Sequence, residues 1–216
     1  MNYLVIDLEM CGVPQMYRTG KYKYSNEIIQ IGAVLLDQKF MQADTFCQYV
    51  HPEYGALDHF ISALTGIENK QLKHALPLKE VLHMLIDWIG GRRYKVYAWS
   101  ENDYCQLARE IRCKEIEDPD IKDFMDQGKW LDYQEIFGRR YKFSRAIGLD
   151  EALMLCDIEP DGKFHNGLDD AVNTAKIIEK LEMNPEFQIQ NYEQGTNMPP
   201  EHLKFSIGDL LANLVF

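Results

Sequence analysis

No C-x-x-C pair occurs in this sequence: its five cysteines, Cys11, Cys47, Cys105, Cys113 and Cys156, are scattered singly. An odd, unpaired set in a chain of 216 residues argues against a disulfide framework and against a thiolate zinc site, and fits reduced thiols in a cytoplasmic protein. No apolar run approaches the ~20 residues a membrane-spanning helix needs, so no membrane partner is expected. The opening MNYLVIDLEM lacks a basic start and carries two acids in its apolar stretch, so it is not expected to act as a secretion signal. The phosphate-cradling G-x-x-x-x-G-K-[ST] loop, the G-x-S-x-G elbow and the H-E-x-x-H zinc pair are all missing, which removes ATP-driven, serine-hydrolase and zincin mechanisms. Positive charge is scarce. With 23 Lys+Arg against 34 Asp+Glu the formal net charge is −11. That weighs against a protein tracking a long phosphate backbone with a basic face. It does not weigh against a nuclease, because carboxylates that hold divalent cations are part of the acidic count.

What is present is enough for one packed domain: 46% hydrophobic and 26% charged residues exclude a disordered chain. Residues 3–9, 28–36 (IIQIGAVLL) and 45–50 are short apolar runs rich in β-formers, separated by turn-like breaks, and predict an antiparallel meander of three strands. The period then changes. Residues 57–64 and 78–89 place apolar residues at helical spacing, in the second case Val81, Leu82, Leu85, Ile86 and Ile89. Residues 94–99 and 130–133 read as strands, and 104–111, 147–155 and 168–181 as helices. The order βββ, helices, β, α, β, α, α describes a mixed α/β sheet covered by helices. The domain is expected over 1–182. Residues 183–216 read as a linker followed by a short amphipathic helix, 206–216, opened by Ser206 and Asp209 and packed on the domain or on a protein partner.

Asp7 and Glu9 close the first apolar strand. Residues two apart on a strand face the same side, so both carboxylates enter one space, where they repel unless a cation neutralises them. The same triplet at Asp157–Glu159 lies outside any strand pattern and reads as solvated. Asp103 follows the strand 94–99 and opens the next helix, where a first-turn acid is favourable by dipole alone. His165 and Asp170 stand in HNGLDDAVNTAKII, a glycine-containing turn running into a helix, with Asp169 as a capping or solvated neighbour. Taken singly each is weak; together, four carboxylates and one histidine at strand and helix ends suit a two-metal phosphodiester hydrolase, with histidine taking the proton of water.

In this order the residues match the three motifs of the DEDDh 3′→5′ exonucleases: Asp7 and Glu9, then Asp103, then His165 and Asp170. Asn166, four before the last Asp, excludes the tyrosine class. The segments EIIQIGAVLLD, YVHP, LTGI and HNGLDDA resemble the Eri-type branch, which includes the histone-mRNA 3′ exonuclease and bacterial relatives linked to sporulation control. The resemblance covers residues 3–182. It implies a ribonuclease H-like fold with a five-stranded sheet and an enzyme that cuts mononucleotides from the 3′ ends of single-stranded RNA or DNA, RNA favoured. Asp7, Glu9, Asp103 and Asp170 would hold two Mg²⁺ or Mn²⁺ ions, with His165 as general base and substrate contact. Leu8 and Met10 would lie under the terminal nucleotide, and Leu64 and Thr65 against the 3′-terminal sugar and base. Trp99 either stacks on a base or closes its strand in the core. Residues 16–24 (MYRTGKYKY) interleave bases with tyrosines, and Arg139, Arg140, Lys142 and Arg145 form a basic cluster; each is equally a nucleic-acid contact or an ordinary solvated surface. His51, His59, His74, His83 and His202 show no ligand spacing and read as structural. Two rival readings stand beside the exonuclease: a catalytically silent binding or regulatory module of the same fold, and a phosphodiesterase for very short oligonucleotides.

Overall fold

The structure, a computed structural model, describes residues 1–18 and 22–189. The expected helix over 206–216 and the boundary of the C-terminal segment's tail lie outside the described residues. Strands β1 (Asn2–Gly12), β2 (Asn26–Leu36) and β3 (Gln42–Tyr49) form the expected antiparallel meander. Strand β4 (Tyr94–Ala98) pairs parallel with β1, and β5 (Trp130–Asp132) parallel with β4, giving the order β3-β2-β1-β4-β5. Between the strands run α1 (His59–Thr65), α2 (Asn69–Leu72), α3 (Leu78–Ile89), α4 (Glu101–Cys113) and α5 (Pro119–Phe124), and after β5 come α6 (Tyr133–Tyr141), α7 (Leu149–Leu155) and α8 (Gly167–Met183). The mixed sheet flanked by helices is the ribonuclease H-like exonuclease fold.

The two-residue period of β1 assigns its side chains. Leu4, Ile6, Leu8 and Met10 enter one core with Ile28, Ile31, Val81, Leu82, Leu85 and Leu107, under α3 and α4. Val5 enters the other core, with Val34, Phe137, Leu153, Ala171 and Ile178, under α6, α7 and α8. Asp7 and Glu9 follow Val5 at intervals of two, so they face the side that α8 covers.

Glycine brings α8 down onto the sheet. Gly32, paired with Asp7 in the β1–β2 register, meets the backbone of Gly167: a Cβ on Gly32 would lie 2.1 Å from the Gly167 carbonyl carbon. The Gly167 N–H donates to Gln30 Oε1 at 2.9 Å, and the Asn166 side chain caps α8 by accepting from the Leu168 and Asp169 N–H groups. One extra β2 residue, Ile29, stands between the pairs Glu9–Gln30 and Met10–Ile28, a bulge that bends the sheet beside Glu9.

Several boundaries differ from the sequence expectation, and local capping explains them. The fifth strand stops at Asp132, whose carboxylate accepts from the Glu135 N–H and starts α6, so Tyr133 is helical. Ser100 caps α4 three residues earlier than periodicity suggested, and Asp58 caps α1 through the Ile61 N–H. Ile147 precedes α7 and is a core residue, with Gly148 at the helix start.

Candidate active site

Four acids from three elements meet inside β1, which runs on to Gly12 beyond the expected strand end, just past Ile6 where its pairing with β4 stops. One carboxylate oxygen each from Asp7, Glu9 and Asp170 lies within 4.8 Å of the other two. Asp170 comes from the first turn of α8, close enough to Asp7 because the Gly32–Gly167 approach removes any side chain between helix and sheet. Asp103 comes from the first turn of α4, close enough to the strand-borne pair for its charge to act on both Asp7 and Glu9. Glu9, Asp103 and Asp170 are buried and Asp7 is half-buried.

Burial and mutual repulsion act in one direction on this cluster. Burial, then the charges of Asp103, Asp170 and Glu9, raise Asp7 well above the usual carboxylate range. Burial, then Asp170 and Asp103, raise Glu9 in the same way. Asp103 and Asp170 are pushed up to about 7, again by burial first, with backbone N–H donors from Leu8 and His165 respectively pulling the other way. Glu9 Oε2 and Asp170 Oδ1 are buried and accept no hydrogen bond. Buried acceptors without a donor, in a group of like charges, are costly in isolation and are what a divalent cation satisfies. An all-oxygen donor set suits Mg²⁺ or Mn²⁺ over softer metals.

The histidine is tied to the cluster through its backbone. His165 sits at φ +64° in the turn before α8, and its N–H donates to Asp170 Oδ2 at 2.8 Å. Its half-buried ring is held below the ordinary imidazole value by burial and by Lys163, with Asp150 opposing. Asp169 faces away: it accepts the Lys163 N–H at 2.9 Å and fills the space over Gly162. Lys163 also donates from Nζ to the Ala63 carbonyl at 3.1 Å, which sets the LTGI loop beside the His165 turn.

The residues expected at the substrate fall in different surroundings. The side chains of Leu8 and Met10 point into the core on the opposite face of β1 from the acids. Thr65 is buried with its hydroxyl donating to the Ile61 carbonyl and accepting from the Ile67 N–H, so it shapes the loop and offers no free hydroxyl. Leu64 is half-buried and packs against the cluster of Cys11, Ile29, Ile61, Ile67 and Leu72. Trp99 is a core residue: it is 7% exposed, packs on Tyr133 and Phe137, and donates its indole N–H to the Ile147 carbonyl. Of the 139–145 cluster, Arg139 pairs with Glu135, Arg145 with Glu151, and Arg140 donates to carbonyls at the end of α8. Sequence reasoning passed over Gln30 and Gly32; a lone glycine amid the apolar run of a central strand was the available signal.

A family model described as Exonuclease, RNase_T, matches residues 4–178. Mouse 3′-5′ exoribonuclease 1 is 30% identical over 169 residues, 74% of this chain and 48% of that protein. ERI1 exoribonuclease 2 of Xenopus laevis is 31% identical over 203 residues, 82% of this chain and 28% of that protein. The chain therefore spans about half the length, or less, of these curated relatives. Among solved structures, the nuclease domain of 3′hExo, a DEDDh family member, bound to rAMP, superposes with a TM-score of 0.72 at 27% identity, covering 89% of this chain and 97% of that one.

Proposed function

The chain belongs to the RNase_T exonuclease family, in its DEDDh, Eri-type branch, and on that footing we propose that it is a metal-dependent 3′→5′ exonuclease. It hydrolyses phosphodiester bonds at the 3′ end of single-stranded nucleic acid, RNA before DNA, and releases 5′-mononucleotides. The carrying observation is the pair of buried, unpartnered oxygens, Glu9 Oε2 and Asp170 Oδ1, in a cluster of three acids, Asp7, Glu9 and Asp170, on which the charge of Asp103 also acts. The preference for RNA rests on relatives named as exoribonucleases.

Asp7, Glu9, Asp103 and Asp170 are the residues that would hold two Mg²⁺ or Mn²⁺ ions, which supply charge neutralisation at the phosphate and a lowered pKa for water. His165 takes a proton from the attacking water at a ring nitrogen. Burial and Lys163 favour its neutral form near pH 7, the form a base requires. As the water oxygen bonds to phosphorus, the bond from phosphorus to the 3′ oxygen of the preceding nucleotide breaks. That oxygen gains a proton and becomes the new 3′ hydroxyl. The His165–Asp170 hydrogen bond holds the turn that carries the base against the acids it serves.

The test is a gel time course on 5′-labelled single-stranded RNA and DNA of equal sequence, with Mg²⁺ or Mn²⁺. Stepwise shortening from the 3′ end, absent with EDTA and in Asp7→Ala, is the expected result. A folded protein that binds the oligonucleotide and shortens it with neither metal would overturn the reading and leave a nucleic-acid-binding module.

A further inference from the structure

The first turn of α4 holds Asp103, and the same helix carries a basic edge away from the acids. Arg109 follows Asn102 by seven residues, two helical turns, so it lies on the same exposed face of α4 as Asn102, about 10 Å along the axis and roughly a third of a turn round from the buried Asp103. Arg112 is one turn further. Both side chains are exposed. Arg109 places its guanidinium carbon 5.6 Å from the centre of the Tyr24 ring, and Arg112 Nη2 donates to the Tyr24 hydroxyl at 2.8 Å. Lys23 stands exposed beside them. A depression of about 260 Å³ opens there, lined by Lys23, Tyr24, Arg112, Cys113 and Glu115.

These two arginines differ from others in the chain. Arg139 and Arg145 are paired with acids, and Arg92 and Arg140 donate to main-chain carbonyls at the ends of α3 and α8. Among the described residues neither Arg109 nor Arg112 forms an ion pair with a carboxylate; what holds them is an aromatic ring. An exposed cation resting on a tyrosine contributes little to folding, yet it presents a guanidinium plane, an aromatic edge and positive charge at once. Single-stranded nucleic acid is bound by that combination, through phosphate attraction and base stacking. In a chain of net charge −11 such a local excess of cations is not a by-product of composition.

The patch is also fixed relative to the acids. Gln106 Nε2 donates to the Asn26 carbonyl at 3.1 Å, and the Ile28 N–H donates to Glu110, so the helix that carries the arginines is pinned to the start of β2, next to Tyr24. We propose that Lys23, Tyr24, Arg109 and Arg112 form a binding surface for the single strand a few nucleotides upstream of the 3′ end held at the acidic cluster. The position of the 3′ end rests on the exonuclease reading above; the nucleic-acid affinity of the patch does not.

Two measurements on the full chain test it. The first is the affinity for a fluorescein-labelled single-stranded RNA of eight nucleotides, by anisotropy with EDTA present so that nothing turns over. The second is kcat/KM on that octamer and on a dinucleotide with Mn²⁺. Arg109→Ala with Arg112→Ala, and the double charge reversal to Glu, are compared with the wild type and with Lys39→Ala/Lys122→Ala, a control on exposed surface elsewhere. The expected result is about tenfold weaker octamer binding for the double alanine variant. Its log–log salt slope should be shallower by about 1.4, two phosphate contacts at roughly 0.7 each. Octamer kcat/KM should fall in step while dinucleotide turnover stays within twofold, and the control should match the wild type. The proposal is overturned if the charge-reversed protein binds the octamer like the wild type, if the loss is as large on the dinucleotide, or if a blunt duplex shows the same arginine-dependent affinity. A wild type that cleaves nothing but binds the octamer through these arginines would sink the exonuclease reading and leave the patch standing.

Discussion

Two clusters of buried acids flank the sheet, and they are built to opposite ends. In one, Glu27 and Glu110 are wholly buried around the nearly buried ammonium of Lys114, which lies 2.7 Å from Glu27 Oε1 and 3.2 Å from Glu110 Oε2. Glu27 also accepts the N–H groups of Glu53, Tyr54 and Gly55, and Glu110 those of Ile28 and Gln106. Burial alone would lower Lys114, but Glu110 and Glu27 more than offset it and hold the ammonium above its ordinary value. In the other cluster, no cationic side chain among the described residues acts on Asp7, Glu9, Asp103 or Asp170, and Glu9 Oε2 and Asp170 Oδ1 have no donor; Glu110 Oε2 also lacks a hydrogen bond but faces the Lys114 ammonium. Burial of carboxylates is therefore not what marks a site in this fold. The mark is a charge left for something other than the chain to meet.

The sharpest way to break this contrast is to neutralise one acid of the open cluster. Asp170→Asn keeps the shape and an acceptor for the His165 N–H, yet removes a charge that a bound cation needs. Exonuclease activity should fall on the order of 10³-fold, the loss of several kcal/mol of transition-state stabilisation. The metal-free melting temperature should hold or rise, because a repulsion is relieved. Parallel thermal melts and gel assays decide it; a large drop in stability would mean that Asp170 holds the fold together and the two clusters are not opposites.

The closed cluster should respond in reverse. Lys114→Met removes the cation paired with two buried glutamates, and breaking such a pair on one side costs about 3–5 kcal/mol. The measurement is the urea midpoint at an unchanged slope. A loss below about 1 kcal/mol would show that the backbone donors on Glu27 and Glu110 suffice without the lysine.

Cations and protons should compete for the open cluster alone. Asp103 and Asp170 are raised to about 7 in the folded protein, above their ordinary value near 4. A carboxyl whose folded pKa is raised contributes stability that is complete below the unfolded pKa and is lost as pH climbs through the folded one. The metal-free protein should thus lose stability between about pH 4 and pH 7. Mg²⁺, at a hundredfold excess over its dissociation constant, should restore about 2.7 kcal/mol, and more at pH 8 than at pH 5. Glu110 is also raised to about 7, by burial first, but it lies where no cation enters, so its share of the pH dependence should be the same with and without Mg²⁺. Thermal melts from pH 5 to pH 8 with and without the ion read this directly; a gap that stays constant with pH would refute it.

The two clusters were not equally legible in the sequence. Asp7 and Glu9 could be read because strand alternation fixes their common side, and Asp103, His165 and Asp170 because each stands where a strand or turn gives way to a helix. The meander and the later parallel strands were legible for the same reason, since their apolar runs are continuous. The closed cluster was not: Glu110 and Lys114 stand four apart at the end of α4, but Glu27 lies far from them along the chain and only the β2–α4 packing brings it to them. Where the side chains of Leu8, Met10 and Trp99 point was not legible either. Adjacency to a functional residue along a strand says nothing of the face a side chain takes, and at period two a neighbour's faces the opposite side. Trp99 is held by Ile147, forty-eight residues away, a partner that no local pattern reveals.

The smallest expected effect concerns the rim of the closed cluster. Glu53 stands 3.5 Å from Lys114 Nζ, but its side chain is 44% exposed. What the cluster uses of this residue is its main-chain N–H, which Glu27 accepts at 2.7 Å and which any side chain preserves. Solvent screens the carboxylate, and an exposed pair of this kind contributes at most about 1 kcal/mol. Glu53→Gln should therefore move the urea midpoint by less than about 0.5 kcal/mol and leave cleavage unchanged. The outcome still separates two pictures of Lys114. If the ammonium is neutralised by the two glutamates buried with it, the rim acid is dispensable and high salt changes nothing further. If Glu53→Gln instead costs as much as a buried partner would, and that cost disappears at high salt, Lys114 depends on a solvent-facing charge. The cluster would then be open on one side, and the difference between the two acid groups would be one of degree.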